Sequence, residues 1–341
     1  MEKEWLYGKT LAELETVVLE LGQKKFVARQ LADWLYAKHV TEIGEMTNLS
    51  LRFRETLADR YTVGRIAPER ADASRDGTKK YLYATLGGKF IESVYIPEGD
   101  RATLCISSQA GCRMGCAFCM TGRQGFQHNL TAGEILNQIR ETAERDKLSN
   151  IVFMGMGEPL DNIGEVLRAI EIMTAPWGFG WSPTRITLST VGVIPAMKRY
   201  LDGCKCHLTI SMHAPGHAVR KSLMPVENRY PLEEVIRELR KYDFSHQRRL
   251  SFAYTVFDGV NDSRRDADAI IALLKGVHCR INLIPFHRIP DSDLRPAQEK
   301  RMVELRDYLS RHGITTTIRT SRGEDIDAAC GLLSTKELLN H

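Results

Sequence analysis

Three cysteines fall within eight consecutive positions of the segment GCRMGCAFCMTG, residues 111 to 122: Cys112, Cys116 and Cys119. Thiolates at that density are ligands for zinc or for an iron–sulfur cluster. The spacing is Cys-x3-Cys-x2-Cys and no second pair follows, whereas a structural zinc site takes four protein ligands, commonly from paired cysteines. Closing a zinc site would call on Cys105, on His128 or on a distant residue. A [4Fe-4S] cluster held by three thiolates instead leaves its fourth iron open to a small molecule, and an open position marks a reactive metal site rather than a structural one. The chain holds eight cysteines in 341 residues. In a long chain with no visible secretory signal that argues for metal or catalytic use rather than a disulfide framework.

A second segment, FMGMGEPLDN at 153–162, follows an apolar run. Gly155-Met156-Gly157 looks faintly like a dinucleotide loop, but Glu158-Pro159 stands where that motif would continue, and proline would break the following helix. The pattern fits close backbone approach to a ligand, with Glu158 as an acceptor for an ammonium. Ser189, Ser211, His213, Asn282 and His287 sit at the ends of further apolar runs. Singly, each reads as a satisfied turn or core group; together they suit a small polar ligand. Cys204, Cys206 and Cys279 read as small buried hydrophobes. Cys330, behind the acidic run DID and before Gly331, is open to either reading.

These groups need a frame that brings strand ends together. Residues 1–66 read as a helical unit: KTLAELETVVLELG, KKFVARQLADWLYAKHV and TNLSLRFRETLADRY carry apolar residues at three-to-four spacing. Residues 67–100 change to period two and read as a β-rich connector, with two strands around Gly87-Gly88 and a third segment ending at Pro97. From 101 to 341 strand runs (TLCISSQ, NIVFMGMG, RITLSTVG, CHLTISMH, RLSFAYTVF, RINLIPFH, TTTIRTS) alternate with helical ones. That pattern predicts an α/β fold with a parallel sheet, a partial (β/α)6 barrel, whose chemistry gathers at the C-terminal ends of the strands.

Charged residues make up 26% of the chain and the net charge is +4, which permits an anionic partner without demanding one. Basic residues occur in short clusters: Lys24-Lys25 with Arg29, Arg220-Lys221, Arg248-Arg249, Arg264-Arg265, and Arg319 with Arg322. Each reads first as solvated surface. No run of about eighteen apolar residues exists to span a membrane, and MEKEWLYGKT has no apolar leader. The chain reads as cytoplasmic.

CRMGCAFC matches the Cys-x3-Cys-x2-Cys signature of the radical S-adenosylmethionine (SAM) superfamily. That resemblance implies that the cluster's open iron binds SAM and that an electron splits SAM into methionine and a 5′-deoxyadenosyl radical. MGMGEP resembles the superfamily's GGEP motif, which implies SAM contacts at Gly157 and Glu158. Further contacts are implied at Ser189, at Ser211-Met212-His213, at Asn282 and near His287, where relatives often carry Asn. More widely, ESVYIP, LCISSQAGCRMGCAFC, QGFQHNLTAGEILNQI, MGMGEPLDN, STVGVIP, LMPVENRYP, GVNDS, NLIPFH and DIDAACG together resemble the RlmN/Cfr family of RNA adenine methyltransferases, over nearly the whole chain.

What that family implies is a two-stage methylation using two SAM molecules. Cys330 takes a methyl group as a thioether, the radical activates it, and it adds to an adenine ring carbon as a covalent protein–RNA adduct. Glu92 removes the ring proton, and Cys105 attacks the Cys330 sulfur to release the product and leave a disulfide. CMTGRQGF and GEPLDN look like the branch that methylates adenine C2, in 23S rRNA at the peptidyl-transferase centre and in tRNA 3′ of the anticodon, rather than the branch that methylates C8. An electron donor such as flavodoxin or ferredoxin is implied. Lys24, Lys25, Arg29, Arg319 and Arg322 are expected to contact RNA phosphates. A zinc-binding RNA module would explain the cysteine trio but neither the GEP segment nor Cys330. A radical SAM activase of another protein would need no methyl-carrying cysteine.

Overall fold

The structure, a computed structural model, describes residues 3–335. Three helices open the chain: α1 (Leu11–Glu20), α2 (Val27–Ala32) and α3 (Leu51–Arg60). The Thr10 hydroxyl accepts from the Glu13 N–H and the Glu13 carboxylate accepts in return from the Thr10 N–H, a reciprocal cap on α1. Leu14, Val17 and Val18 are its buried face, as the apolar spacing predicts. The second predicted helix is shorter than its pattern, because α2 passes into a wider π turn at Asp33–Ala37. A short parallel bridge pairs Glu4–Trp5 with Tyr61–Thr62 and so joins both ends of this unit. The unit lies against the rest of the chain at a backbone contact: a Cβ on Gly8, whose φ is +97°, would stand 2.3 Å from the Gly133 nitrogen.

Ten strands form one sheet: β1 (Arg70–Ala73), β2 (Lys79–Ala84), β3 (Phe90–Glu98), β4 (Arg101–Cys105), β5 (Asn150–Phe153), β6 (Ile186–Thr190), β7 (His207–Ser211), β8 (Leu250–Val256), β9 (Arg280–Pro285) and β10 (Thr315–Ile318). Their order across the sheet is their order in the chain. From β4 to β10 every pairing is parallel. The crossovers carry α5 (Ala132–Arg140), α6 (Ile163–Thr174), α7 (Ile194–Gly203), α8 (His217–Leu223), α9 (Leu232–Leu239), α10 (Arg264–Leu274) and α11 (Glu299–Arg311), and α4 (Met120–Gln124) follows the cysteine loop. Every residue of β8 is buried, as expected of a parallel strand covered on both faces. This is the expected α/β architecture, with the seventh parallel strand closing the sixth β/α unit.

The β-rich segment differs from its reading in one respect. The two segments expected after Gly87-Gly88 are one unbroken strand, β3, which runs through Pro97, and the additional strand is β1, upstream. β1 was hard to read because Arg-Ala-Asp-Ala is mostly exposed at the sheet edge and shows no apolar alternation. β1 to β3 pair antiparallel and β3 pairs antiparallel with β4, so the segment is a wing of the same sheet. Among the described residues no helix is long and apolar enough to cross a membrane.

Candidate active site

The C-terminal ends of the parallel strands surround a cavity of about 1030 Å³, including its open mouth. Its floor is set by the loop after β5. The Gly155 N–H donates to the Ile106 carbonyl at 3.0 Å, and a Cβ on Gly155 would stand 2.7 Å from that oxygen. Gly157 has φ +97°, and a Cβ there would meet the Gln109 Cβ at 2.5 Å. Glycine is needed at both points for the loop to lie on residues 106–109. Gln109, fully buried, accepts from the Glu158 N–H at 2.8 Å and donates to Asn129 and Asp161.

Glu158 is held more tightly than a free ammonium acceptor would be. Its carboxylate accepts from the Thr190 hydroxyl (2.5 Å), the Val191 N–H (2.9 Å) and the Leu160 N–H (3.0 Å). Burial raises its pKa to about 7 against the pull of those three donors. It therefore ties the Gly155–Gly157 loop to the end of β6, with one carboxylate lone-pair site left over.

The three cysteines occupy the loop after β4 and all line the cavity. The loop is fixed by backbone bonds: the Cys112 N–H donates to Gly125, the Ala117 N–H to Leu223 and the Cys119 N–H to Cys116. Burial pushes the Cys112 thiol up to about 12, Cys116 well above the usual thiol range, and Cys119 upward as well. Cys119 and Cys112 add to the rise at Cys116, so the sulfurs are close enough to feel one another. Crowded buried thiols keep their protons unless a cationic centre replaces them, which is what an iron cluster does. Among the described residues no set of three His, Cys, Asp or Glu donors closes on one point. Three thiols from one loop, all facing one cavity, suit a cluster that distributes its ligands over several irons.

Of the strand-end residues, Ser189, Ser211, His213 and Asn282 line the cavity. The Thr255 N–H donates to His213 Nδ1 at 2.9 Å, so the ring proton sits on Nε2. Burial, with Arg220 nearby, lowers the His213 pKa to about 3 and keeps the ring neutral. Asn282 accepts from the Thr317 hydroxyl. Two expected residues stand elsewhere. Met212 is fully buried in the core, because it follows Ser211 and the strand alternation turns it inward. His287 turns to the C-terminal segment, with Nε2 2.9 Å from the Ser321 hydroxyl and Nδ1 3.7 Å from Glu324.

Arg220 is not surface. It is completely buried, ion-paired with Glu227, and donates to the carbonyls of Val191, Ser211 and Met212. One guanidinium thus holds the ends of β6 and β7 at the cavity wall.

Cys330 and Gly331 line the same cavity. Burial pushes the Cys105 thiol, at the end of β4, up to about 12; the Cys330 sulfur adds to that rise and Arg319 opposes it. Cys330 also raises Cys119, so it is within electrostatic reach of both the cysteine loop and Cys105. All three are free thiols. The segment after Cys330 is tied down: the Met120 N–H donates to the Gly331 carbonyl (2.8 Å), the Thr121 hydroxyl to the Leu333 carbonyl (2.7 Å) and the Ser334 N–H to Glu92 (3.0 Å). Glu92 is buried, not solvent-facing, and pairs with Lys80 at 3.1 Å. Burial raises its pKa despite Lys80.

The residues expected at phosphates divide. Lys24, Lys25 and Arg29 are exposed on the helical unit, with Lys25 paired to Glu15 at 2.9 Å. Arg322 is half-buried. Arg319 lines the catalytic cavity, its guanidinium 3.5 Å from the Met154 sulfur. Gln109, Thr190 and Arg220 were not singled out as site residues in the sequence; their only local signal is proximity to the cysteine loop and to the strand ends.

Two family models match the chain: "Radical SAM superfamily" over residues 106–270 and "Ribosomal RNA large subunit methyltransferase N-terminal domain" over residues 5–63. The chain is 54% identical to the probable dual-specificity RNA methyltransferase RlmN of Parabacteroides distasonis over 335 residues, which cover 98% of each chain. It is 42% identical to the dual-specificity RNA methyltransferase RlmN of Syntrophotalea carbinolica, over 96% of this chain and 88% of that one. The crystal structure of a radical SAM methyltransferase from Sphaerobacter thermophilus superposes with a TM-score of 0.90 at 39% identity, over 97% of this chain and 99% of that one. Full-length similarity of this order, on a cavity built around these cysteines, leaves one assignment: the chain belongs to the RlmN family of radical SAM RNA methyltransferases.

Proposed function

We propose that this chain methylates adenine C2 in 23S rRNA at the peptidyl-transferase centre and in tRNA 3′ of the anticodon, with Cys330 as the methyl carrier. The observation that carries the proposal is that Cys330 stands in one cavity with Cys112, Cys116 and Cys119 and within electrostatic reach of Cys105. The names of the relatives support two RNA substrates. Cys112, Cys116 and Cys119 would hold the [4Fe-4S] cluster, with SAM against Gly157, Ser189, Ser211 and His213. When bound, cluster and SAM would supply a hydrogen-abstracting radical, given an electron from a flavodoxin or ferredoxin, and the cluster would be the acceptor for the odd electron left on the adduct.

The chain's own residues do the rest. Cys330 holds the methyl carbon as a thioether. Glu92, whose raised pKa makes it a stronger base than an exposed carboxylate, takes the ring proton from the adduct. Cys105 attacks the Cys330 sulfur as the thiolate; the S–S bond forms, the S–C bond breaks, and the carbon leaves with the bonding pair and a proton as the product methyl group. The same reading places the chain in the cytoplasm with its RNA substrates.

Anaerobic reaction with SAM and reductant, followed by mass spectrometry of nucleosides, tests this. Wild type should yield 2-methyladenosine, Cys330→Ala none, and Cys105→Ala a trapped protein–RNA adduct. 8-Methyladenosine would move the chain to the C8 branch. Absence of methylated adenosine despite SAM cleavage would sink the substrate assignment.

A further inference from the structure

A second cavity, of about 820 Å³ including its open mouth, lies between the helical unit and the N-terminal ends of β5 and β6. Its walls come from Tyr36 to His39, from the end of α5 through Leu148, and from Gly178 to Arg185. β5 and β6 have four and five residues, so at about 3.3 Å per residue this cavity is roughly 15 Å from the catalytic one, at the other end of the strands.

Its charge is one-sided. Arg140, Arg145 and Arg185 all line it, and Arg65 stands beside Arg140. Against these four guanidiniums there are two carboxylates, Glu141 and Asp146. Glu141 is already bound by Arg65 at 2.9 Å and by Arg140 at 3.4 Å. Asp146 is 94% exposed and 3.7 Å from Arg145, so its charge is screened by solvent. Arg185 is laid over the Trp181 ring at 4.2 Å and donates only to carbonyls, those of Ser149 and Leu148.

His39 gives an independent sign. Its backbone has φ +53°, a left-handed conformation that non-glycine residues adopt sparingly. Its Nδ1 is shut off from solvent and has no hydrogen-bond partner among the described residues. Burial and then Arg145 and Arg140 disfavour its protonation, and both guanidiniums line the same cavity as His39. His39 and three guanidiniums thus line one cavity, and of these Arg140 is committed to the Gly64 and Val40 carbonyls, which leaves Arg145 and Arg185 as the cations at its wall.

We propose that this cavity binds a phosphate group, through Arg145, Arg185 and His39. Phosphate offers several acceptor oxygens for guanidinium donors spread around one cavity. The group comes either from an RNA backbone reaching behind the barrel or from a small phosphorylated ligand. The inference does not rest on the methyl-transfer reading, because binding is measured without turnover.

The test is thermal denaturation of the anaerobic holoenzyme in increasing sodium phosphate, with chloride balancing ionic strength. Wild type should show a saturable rise in Tm. Arg145→Ala removes a side chain that is 40% exposed and leaves the core intact; it should weaken phosphate by about tenfold or more. His39→Gly suits the left-handed backbone and should keep the fold while weakening phosphate. A flat wild-type response, or a saturable one unchanged in both variants, overturns the proposal. In the second arm, labelled target RNA is titrated with and without saturating phosphate. Competition that disappears in Arg145→Ala assigns the group to RNA; saturable phosphate binding without competition assigns it to a small ligand, and either upholds the site.

Discussion

Glu92 Oε2 accepts the Ser334 N–H at 3.0 Å while Oε1 faces the Lys80 ammonium at 3.1 Å, so the carboxylate proposed as the base also anchors the segment that carries Cys330. Glu92→Gln should lower methylation by about 10² to 10⁴-fold, the range for loss of a general base. It also strands Lys80 in a buried setting at a cost of about 3–5 kcal/mol. Adding Lys80→Met to Glu92→Gln should return Tm towards wild type without returning activity. Near-wild-type turnover in Glu92→Gln would remove the base role.

Arg319 is the cation acting on Cys105. Its backbone N–H donates to Leu283 at 2.8 Å, so Arg319→Met should preserve β10 and change only the charge. Without that cation the Cys105 pKa rises further, and resolution should slow by up to about tenfold for each unit of the rise as thiolate is lost. Denaturing gels at early times should then show accumulated protein–RNA adduct. If the variant instead loses RNA affinity and accumulates none, Arg319 is a phosphate contact.

His213 sets an acid limit. Its pKa falls from the ordinary 6.5 to about 3 on folding. The unfolded chain therefore binds the proton first, and the stabilisation is present above pH 6.5 and is lost as pH falls toward 3. Glu158, raised to about 7, has the opposite sign: its share is full below the unfolded carboxyl value and is lost as pH rises through 7. His213→Asn keeps an acceptor for the Thr255 N–H and tolerates the left-handed backbone at φ +54°. Tm against pH should then be flatter between 6.5 and 3; an unchanged slope would show that other groups govern acid unfolding.

Gly157→Ala sets a Cβ against Gln109 at 2.5 Å with φ at +97°. The backbone penalty of roughly 1–2 kcal/mol falls on the loop that floors the cavity, and SAM affinity should weaken by about tenfold. Equilibrium binding of SAM to the reconstituted protein measures it, and unchanged affinity would mean that the loop does not bear on SAM.

That Cys112, Cys116 and Cys119 share one site was legible in the sequence, because their spacing keeps them within one loop. The parallel strands were legible because burial on both faces makes them continuous apolar runs. Arg220 was not: next to Lys221 it looks like surface, and its partners Val191 and Ser211 belong to other turns of the fold. The place of Arg319 in the cavity wall was not legible, because nothing local records that β10 lies beside β9 and brings it there. Met212 and His287 show the same limit, since a one-residue change in direction at a strand end decides between cavity, core and rim.

Because β1 to β10 lie side by side in the order in which they occur in the chain, the sheet can grow by addition at one edge while synthesis proceeds, with no strand waiting to be inserted between two others. The segment holding Cys330 follows all ten strands and docks onto Met120, Thr121 and Glu92, all made over two hundred residues earlier. The thiol proposed to carry the methyl group thus reaches its station only after the residues that line its chamber have been made.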